Sequence, residues 1–153
     1  MKKIAVFPGS FDPFTIGHES IIRKCFPLFD EVIIGIGVNT SKKYMFDLEK
    51  RIQHIHSIYE GVENVKVESF TGLTVDFCKQ KNAQFIVRGV RDTKDFEYEK
   101  SIAQMNLKIS GIESVFLITD PEVAAISSTI IREIHKSGGD MSMFVTNSDI
   151  LVL

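Results

Sequence analysis

The residues best suited to chemistry lie near the N-terminus, in the run from Val6 to His18. A short apolar segment is followed by the turn Pro8-Gly9-Ser10 and then by Thr15-Ile16-Gly17-His18. An apolar strand that enters a helix through a tight turn is where open α/β sheets bind phosphates, because the helix N–H groups and dipole attract anions. His18 adds a donor that can carry positive charge near neutral pH. The segment therefore predicts a nucleotide-phosphate site.

A second candidate is Arg88-Gly89-Val90-Arg91, which follows an apolar run. The planar guanidinium fork suits phosphate oxygens, and Gly89 lets the backbone approach a ligand closely. The alternative is that the two arginines pair with carboxylates of the following segment, at Asp92, Asp95 or Glu97. We favour phosphate binding for this segment.

Two further polar groups follow predicted strands. Lys42 and Lys43 come after the second strand; Lys43 fits a solvated loop, and position alone leaves Lys42 open between a solvated and a functional side chain. Ser127-Ser128-Thr129 stands at a predicted helix start, where capping by Ser127 would use only one hydroxyl. Three hydroxyls in a row favour a cradle for a polyphosphate.

Short β-branched runs alternate with segments of helical periodicity along the whole chain. This alternation predicts an α/β fold, a single Rossmann-like domain over residues 1–153 with a five-stranded parallel sheet and helices on both faces. Polar residues follow every predicted strand, with Thr71, Gly72 and Thr74 after the third. These five groups then meet at one edge of the sheet. The predicted strands are Lys3–Phe7, Glu31–Val38, Val65–Phe70, Gln84–Val87 and Ser114–Thr119. The predicted helices are Gly17–Phe29, Leu48–Tyr59, Leu73–Lys81, Lys94–Ser110 and Ser128–Lys136, with a short helix in the tail from Gly138.

Composition limits the classes of function. The 153 residues carry 44% hydrophobic and 25% charged residues and a net charge of -2, so no global positive field attracts nucleic acid. No apolar run is long enough to cross a bilayer, which makes the cytoplasm the expected location. We expect Cys25 and Cys78 to be small apolar residues, in the core or near the surface, without a redox role. We also expect no zinc or other metal site built from side chains, and solvated positions for His54 and His56.

The motifs together carry a clear resemblance. Thr15-Ile16-Gly17-His18 and Ile126-Ser127-Ser128-Thr129-Ile130-Ile131-Arg132 resemble the paired signature of the (T/H)xGH nucleotidyltransferase superfamily. Within it, Phe7 to Pro13, Ser41-Lys42-Lys43, Arg88 to Arg91 and Asp95-Phe96-Glu97-Tyr98-Glu99 resemble the phosphopantetheine adenylyltransferase family, from Lys3 to about Phe144.

The resemblance implies transfer of AMP from ATP to 4′-phosphopantetheine in coenzyme A biosynthesis. It also implies Mg²⁺ carried by the ATP phosphates, a homohexamer and feedback inhibition by coenzyme A. His18 and Lys42 would be catalytic, and the acceptor would be bound by Ser10, Lys42, Thr74 and Arg88. The ATP site would comprise Ser10, Phe11, His18, Gly89, Val90, Arg91, Glu99, Val123, Ala124, Ala125, Ile126, Ser127, Ser128 and Thr129.

The chain departs from the family pattern at three places. Ser10 stands where the family often has threonine, Thr74 replaces a usually apolar residue near the pantetheine arm, and Pro27 is expected to shorten the first helix. Two rival functions differ in class: a related nucleotidyltransferase acting on nicotinamide mononucleotide, or with CTP on a polyol phosphate, and a nucleotide-binding regulatory module without catalysis. Arg88, Arg91 and the Asp95–Glu99 segment argue against the first, and retention of His18 and Lys42 argues against the second.

Overall fold

A five-stranded, all-parallel sheet forms the centre of the molecule. The computed structural model describes residues 1–152; Leu153, the last residue of the predicted domain, lies outside the described residues. The strand order across the sheet is β3-β2-β1-β4-β5, so the chain leaves the central strand towards both edges. Ligands bind beside the strand where the order reverses, which here is β1. The strands are β1 (Ile4–Gly9), β2 (Glu31–Gly37), β3 (Val65–Phe70), β4 (Phe85–Val90) and β5 (Glu113–Ile118).

The helices follow the strands closely in sequence. As expected, the first helix is short and ends at Cys25, two residues before Pro27. The tail ends in a four-residue helix over the described residues. The helices are α1 (Ile16–Cys25), α2 (Leu48–Ile58), α3 (Thr74–Gln80), α4 (Thr93–Ser110), α5 (Ser128–Lys136) and α6 (Asp149–Val152).

Apolar side chains cover both faces of the sheet, as the fold class requires. On β1, Phe7 packs into a core cluster that includes Ile22 of α1, whereas Val6 points to the opposite face and packs into a cluster that includes Cys78 of α3. This alternation follows from the two-residue period of a strand. The predicted fold class is confirmed.

The two cysteines lie in the core, which is one of the two positions expected for them. Cys25 belongs to the first of these clusters and Cys78 to the second. Burial raises the pKa of the Cys25 thiol to about 12 and that of the Cys78 thiol to about 11. Because the thiolate is the reactive form of cysteine, both side chains act as small apolar residues.

The end of β4 was predicted too early, at Val87. The strand continues to Val90, with Arg88 opposite Phe116 and Val90 opposite Ile118 in the ladder with β5. The apolar pattern stops at Val87, but backbone pairing continues because a parallel ladder depends on main-chain groups. Arg88 and Gly89 therefore lie within a strand, which gives them a more rigid position than the predicted loop.

The solvated position predicted for His54 is wrong, although His56 is exposed as expected. The His54 side chain is only 1% exposed, and its Nε2 donates to the Thr146 carbonyl at 2.7 Å. Burial lowers the pKa of His54, and the hydrogen bond to Thr146 opposes this effect. The tail docks on α2 and covers this face, a long-range contact that local periodicity does not reveal.

Candidate active site

A large cavity opens at the carboxyl ends of β1 and β4. Its volume is about 810 Å³, and its walls include Ser10 from the β1 exit, His18 from the start of α1 and Arg88 and Arg91 from the end of β4. Ser127, immediately before α5, closes another side. Residues from four separate parts of the sequence are thus brought together at the sheet edge where the prediction placed them.

The Thr15-x-Gly17-His18 motif forms a capping box at the start of α1. The His18 N–H donates to Thr15 Oγ1, and the Thr15 N–H donates to His18 Nδ1 at 2.9 Å. Each side chain satisfies a backbone donor that the helix itself cannot. A Cβ on Gly17 would lie 3.3 Å from Thr15 Oγ1 and 3.7 Å from the Val123 carbonyl. The motif therefore fixes the histidine and lets the segment before α5 approach closely.

The capping box also determines which nitrogen of the neutral His18 ring carries the proton. Because Nδ1 accepts the Thr15 N–H, the proton of the neutral ring resides on Nε2, which is left as a donor. The ring lies between Phe11, at 5.0 Å edge-on, and Phe14, at 5.2 Å and nearly parallel. These contacts hold the ring in one orientation.

The expectation that His18 carries positive charge near neutral pH is wrong. Burial, together with the positive charges of Arg88 and Arg91, lowers the pKa of His18 to about 3. His18 is therefore a neutral hydrogen-bond donor at neutral pH, and the arginines supply the positive charge of the cavity.

The loop between β1 and α1 is held from two sides. From α5, the Ser128 hydroxyl donates to the Pro13 carbonyl and Arg132 donates to the Asp12 carbonyl, both at 2.8 Å. From the other side, the buried Asp12 carboxylate accepts the backbone N–H groups of Met45 and Phe46 at 2.8 and 2.9 Å. Two motifs far apart in sequence are thereby joined into one rigid unit.

The three hydroxyls before α5 have protein partners. Ser127 caps the helix by accepting from the Ile130 N–H, Ser128 contacts Pro13, and Thr129 accepts from Arg132 at 3.2 Å. Ser127 and Ser128 also line the cavity. The hydroxyls therefore build the site, and the proposed cradle for a polyphosphate stays a prediction.

The two arginines differ in their partners. Arg88 makes a bidentate pair with Glu99, at 2.9 and 2.7 Å, and its Nη1 donates to the Pro8 carbonyl at 2.7 Å. Arg91 pairs with Asp95 at 3.1 Å. Both arginines therefore pair with carboxylates: Arg91 with Asp95, one of the partners that the sequence offers, and Arg88 with Glu99, a residue of the predicted ATP site. Both arginines nevertheless line the cavity, so their ion pairs do not exclude contact with a ligand.

A smaller cavity of about 330 Å³ adjoins the first. Thr74 lines it together with Phe70, Tyr98 and Asn106, and Arg88 lines both cavities. The site is therefore a double chamber with Arg88 in the dividing wall. The residues shared by the two chambers are Pro8, Gly9, Ser10, Arg88, Tyr98 and Glu99.

The predicted site residues are not all found in these walls. The large chamber includes Phe11, Gly89, Glu99 and Ile126 besides those already described. Lys42 is exposed in its loop, with Nζ 5.4 Å from the centre of the Tyr44 ring. The residues that line neither chamber are Lys42, Val90, Val123, Ala124, Ala125 and Thr129.

The residues that hold the β1–α1 loop in place were not predicted from the sequence. Asp12, Arg51 and Arg132 hold the β1–α1 loop without lining either chamber. Arg51 offered a signal, because it lies in the apolar stripe of α2 beside Leu48 and Ile55, where a charged residue requires buried partners. Within residues 1–152, no group of three or more His, Cys, Asp or Glu side chains could hold a metal ion. Over the same residues, no helix has the length and apolar content needed to cross a membrane.

The sequence of this chain is similar to those of known nucleotidyltransferases. Residues 6–134 match the family model described as cytidylyltransferase-like. The chain is 54% identical over 145 residues to the phosphopantetheine adenylyltransferase of Christiangramia forsetii, covering 95% of each chain. It is 51% identical over 141 residues to that of Bacteroides fragilis, covering 92% of this chain and 94% of the relative.

Solved structures of lower identity share the fold. The bifunctional NMN adenylyltransferase/ADP ribose pyrophosphatase of Francisella tularensis superposes with a TM-score of 0.74 at 21% identity, over 98% of this chain and 49% of that one. The nicotinic acid mononucleotide adenylyltransferase of Plasmodium falciparum gives a TM-score of 0.70 at 16% identity, over 99% and 95% of the two chains.

Proposed function

The chain belongs to the cytidylyltransferase-like family and, within it, to the phosphopantetheine adenylyltransferases, and we propose that its double chamber is where their reaction takes place. The enzyme is a nucleotidyltransferase. It transfers AMP from ATP to 4′-phosphopantetheine, which gives dephospho-coenzyme A and pyrophosphate in coenzyme A biosynthesis.

The observation that supports this placement is the pair of adjoining chambers with shared polar walls. A transfer between two bound molecules requires that the reacting groups meet, and holding them in contact lowers the barrier by reducing the entropy that must be lost. We place ATP in the larger chamber and phosphopantetheine in the smaller one. The phosphate of the acceptor then meets the α-phosphate of ATP beside Ser10 and Arg88.

On the ATP side, His18 and Arg91 are proposed to contact the phosphates. The Nε2 donor of His18 is fixed by the capping box, and Arg91 lines the same chamber. The first turn of α5 adds helix N–H groups, which favour anions. The adenine is proposed to contact backbone groups of Gly89 and of the segment Val123–Ile126, where small side chains leave the main chain accessible.

On the acceptor side, Lys42, Arg88 and Ser10 are proposed to bind the phosphate, and Thr74 the pantetheine arm. Arg88 and Thr74 already line the smaller chamber. Lys42 lies in the loop that Asp12 anchors through Met45 and Phe46. It reaches the phosphate in this proposal by leaving the face of the Tyr44 ring.

The chemistry needs positioning and charge stabilisation. The acceptor phosphate is already an anion, so it attacks the α-phosphorus without a general base. Charge then grows on the non-bridging oxygens and on the leaving pyrophosphate, where fixed donors and cations act most strongly. His18 and Lys42 stabilise the transferring group, and Arg91 stabilises the leaving group. We propose that Mg²⁺ enters with the ATP phosphates. Release of pyrophosphate from ATP and phosphopantetheine tests the transfer, and a binding module without catalysis would release none.

The substrates suggest two further properties. Coenzyme A contains both the pantetheine arm and an adenine nucleotide, so we propose that it competes for the double chamber as a feedback inhibitor. Since the reaction consumes ATP, we propose that the enzyme works in the cytoplasm.

We also propose that the chain forms a homo-oligomer, in particular a hexamer. Helix α4 has no buried residue, and one of its faces carries exposed apolar side chains at helical spacing, Tyr98, Ile102, Met105 and Ile109. The exposed fractions of Met105 and Ile109 are 60% and 56%. A continuous apolar face of this kind is typical of an interface, and closed symmetry is the common way to cover it.

Light scattering at micromolar concentration is expected to give a mass six times that of one chain. Met105→Asp places a charge on the apolar face of α4 and should yield smaller species, because a charge buried without a partner is costly. Met143→Asp is the matched control, since Met143 is 76% exposed in a different segment. A monomeric wild type would contradict the proposal, and equal effects of the two substitutions would contradict the assignment to α4.

A further inference from the structure

Arg51 is a buried cation at the back of the double chamber. Its side chain extends from α2 and is only 2% exposed. Its Nη1 donates to the Ser10 carbonyl at 2.7 Å, and its Nε donates to the Phe46 carbonyl at 3.0 Å. One guanidinium therefore joins the two loops whose residues are assigned to the acceptor phosphate.

Arg51 also reaches the lysine loop through an aromatic ring. Its Cζ lies 4.2 Å from the centre of the Tyr44 ring, and Lys42 Nζ lies 5.4 Å from the same ring. The Tyr44 hydroxyl in turn accepts the Asn39 N–H at 3.2 Å. Tyr44 is thus held between the end of β2 and Arg51, and it supports the segment from which Lys42 projects.

The chemistry of these contacts needs an arginine. The guanidinium is planar, stacks on the tyrosine ring and directs several N–H groups at fixed angles, whereas a lysine ammonium is a point charge on a flexible stem. Two carbonyls in different loops and one ring face are matched simultaneously only by the planar fork. Burial lowers the pKa of Arg51, and the negative charge of Asp12 opposes this effect.

We propose that Arg51 is a positioning residue that sets the distance between Ser10 and Lys42, and thereby the binding of the acceptor phosphate. It does not line either chamber, so it acts through the residues that do. This inference rests on the proposed roles of Ser10 and Lys42. It predicts that the contribution of Arg51 to acceptor use depends on Lys42 being present.

A double-mutant cycle tests this dependence. Arg51→Lys is expected to lower kcat/KM for phosphopantetheine at least about tenfold in the wild-type background, mainly through KM, while KM for ATP changes less than about threefold. In the Lys42→Ala background, Arg51→Lys should lower kcat/KM for phosphopantetheine by a factor at least about three times smaller than in the wild-type background, because the side chain that Arg51 positions is gone. Tyr44→Leu, which removes the stacking surface, serves as a second variant in both backgrounds if Arg51→Lys does not fold.

The control for general destabilisation is Leu151→Ala. Leu151 is buried in a cluster with Phe46 and lines neither chamber. It should lower the Tm and leave kcat/KM for both substrates unchanged. If Arg51→Lys lowers kcat/KM for phosphopantetheine by the same factor in both backgrounds, the positioning role alone is overturned. The same holds for Tyr44→Leu where it replaces Arg51→Lys. A Lys42→Ala variant with wild-type KM for phosphopantetheine would overturn the role of Lys42 and this inference with it.

Discussion

Replacing His18 by alanine is expected to lower turnover by a factor on the order of 100 or more, the loss typical of removing one oriented donor from a transition state. ATP affinity should change far less, because charge on the transferring phosphoryl is greatest in the transition state. The structure sharpens this expectation: Nδ1 is committed to the Thr15 N–H, so Nε2–H is the only donor that the neutral ring can offer. Steady-state kinetics with separate ATP binding measurements make the comparison.

His18→Asn and His18→Gln separate the donor from the helix cap. The amide oxygen of asparagine can replace Nδ1 as the cap acceptor, but its short side chain offers nothing at the Nε2 position. His18→Asn should therefore be as slow as His18→Ala, and His18→Gln, whose amide N–H reaches further, should retain more turnover. Near-normal turnover of His18→Asn would show that the histidine serves the fold and not the reaction.

The low pKa of His18 has a consequence for stability. The pKa falls from 6.5 to about 3 on folding. Between these values the unfolded chain binds a proton that the folded chain does not, so the free energy of unfolding falls as the pH drops from 6.5 towards about 3. Denaturation at about pH 7 and about pH 5 should show a smaller decline for His18→Asn than for the wild type. Equal declines would mean that His18 titrates normally in the folded protein.

Replacing Arg88 by alanine is expected to raise KM for phosphopantetheine about 10- to 100-fold, the effect of losing charge-assisted hydrogen bonds to a phosphate. Arg88 stands in the wall between the two chambers, where a phosphate dianion needs cations. Pantetheine without its phosphate should be a poor acceptor for the wild type, because its hydroxyl lacks the charge that these residues bind. A pantetheine that reacts as well as its phosphate would refute the acceptor assignment.

The ion pair of Arg88 requires a control. The Glu99 side chain is only 12% exposed, so Arg88→Ala alone leaves a largely buried carboxylate without its partner and destabilises the fold. The double variant Arg88→Ala/Glu99→Gln removes the unpaired charge and should recover stability without recovering acceptor binding. Recovery of acceptor KM in the double variant would show that the loss came from the stranded carboxylate.

The sequence was sufficient for the architecture because the architecture depends on local patterns. Short β-branched runs and helical stripes placed five strands and five helices within a few residues of their observed positions. The parallel direction of the strands then follows from the alternation. The edge of the sheet at which the chambers open follows from the rule that ligands bind at strand carboxyl ends. After Val87 the apolar sequence pattern stops although the backbone pairing of β4 with β5 continues, and the predicted strand therefore ends too early.

The parts that could not be predicted depend on contacts between distant segments. The buried position of His54 follows from docking of the tail, and the neutral state of His18 follows from burial beside Arg88 and Arg91. The hydroxyls before α5 have a partner that residue types do not reveal, the carbonyl of Pro13, over a hundred positions earlier in the chain. Residue types predict candidate side chains for this site, but the contacts that hold them in place are visible only in the fold.

The donor nucleotide offers the most direct test of adenylyl transfer. Pyrophosphate release is measured with phosphopantetheine and either ATP, CTP or GTP at equal concentration, and the product is identified by mass. We expect dephospho-coenzyme A from ATP and far slower release from CTP and GTP, because a wrong base leaves polar groups of the pocket unpaired. Comparable turnover with CTP, or no product with ATP, would contradict both the proposed adenine contacts and the adenylyl transfer itself.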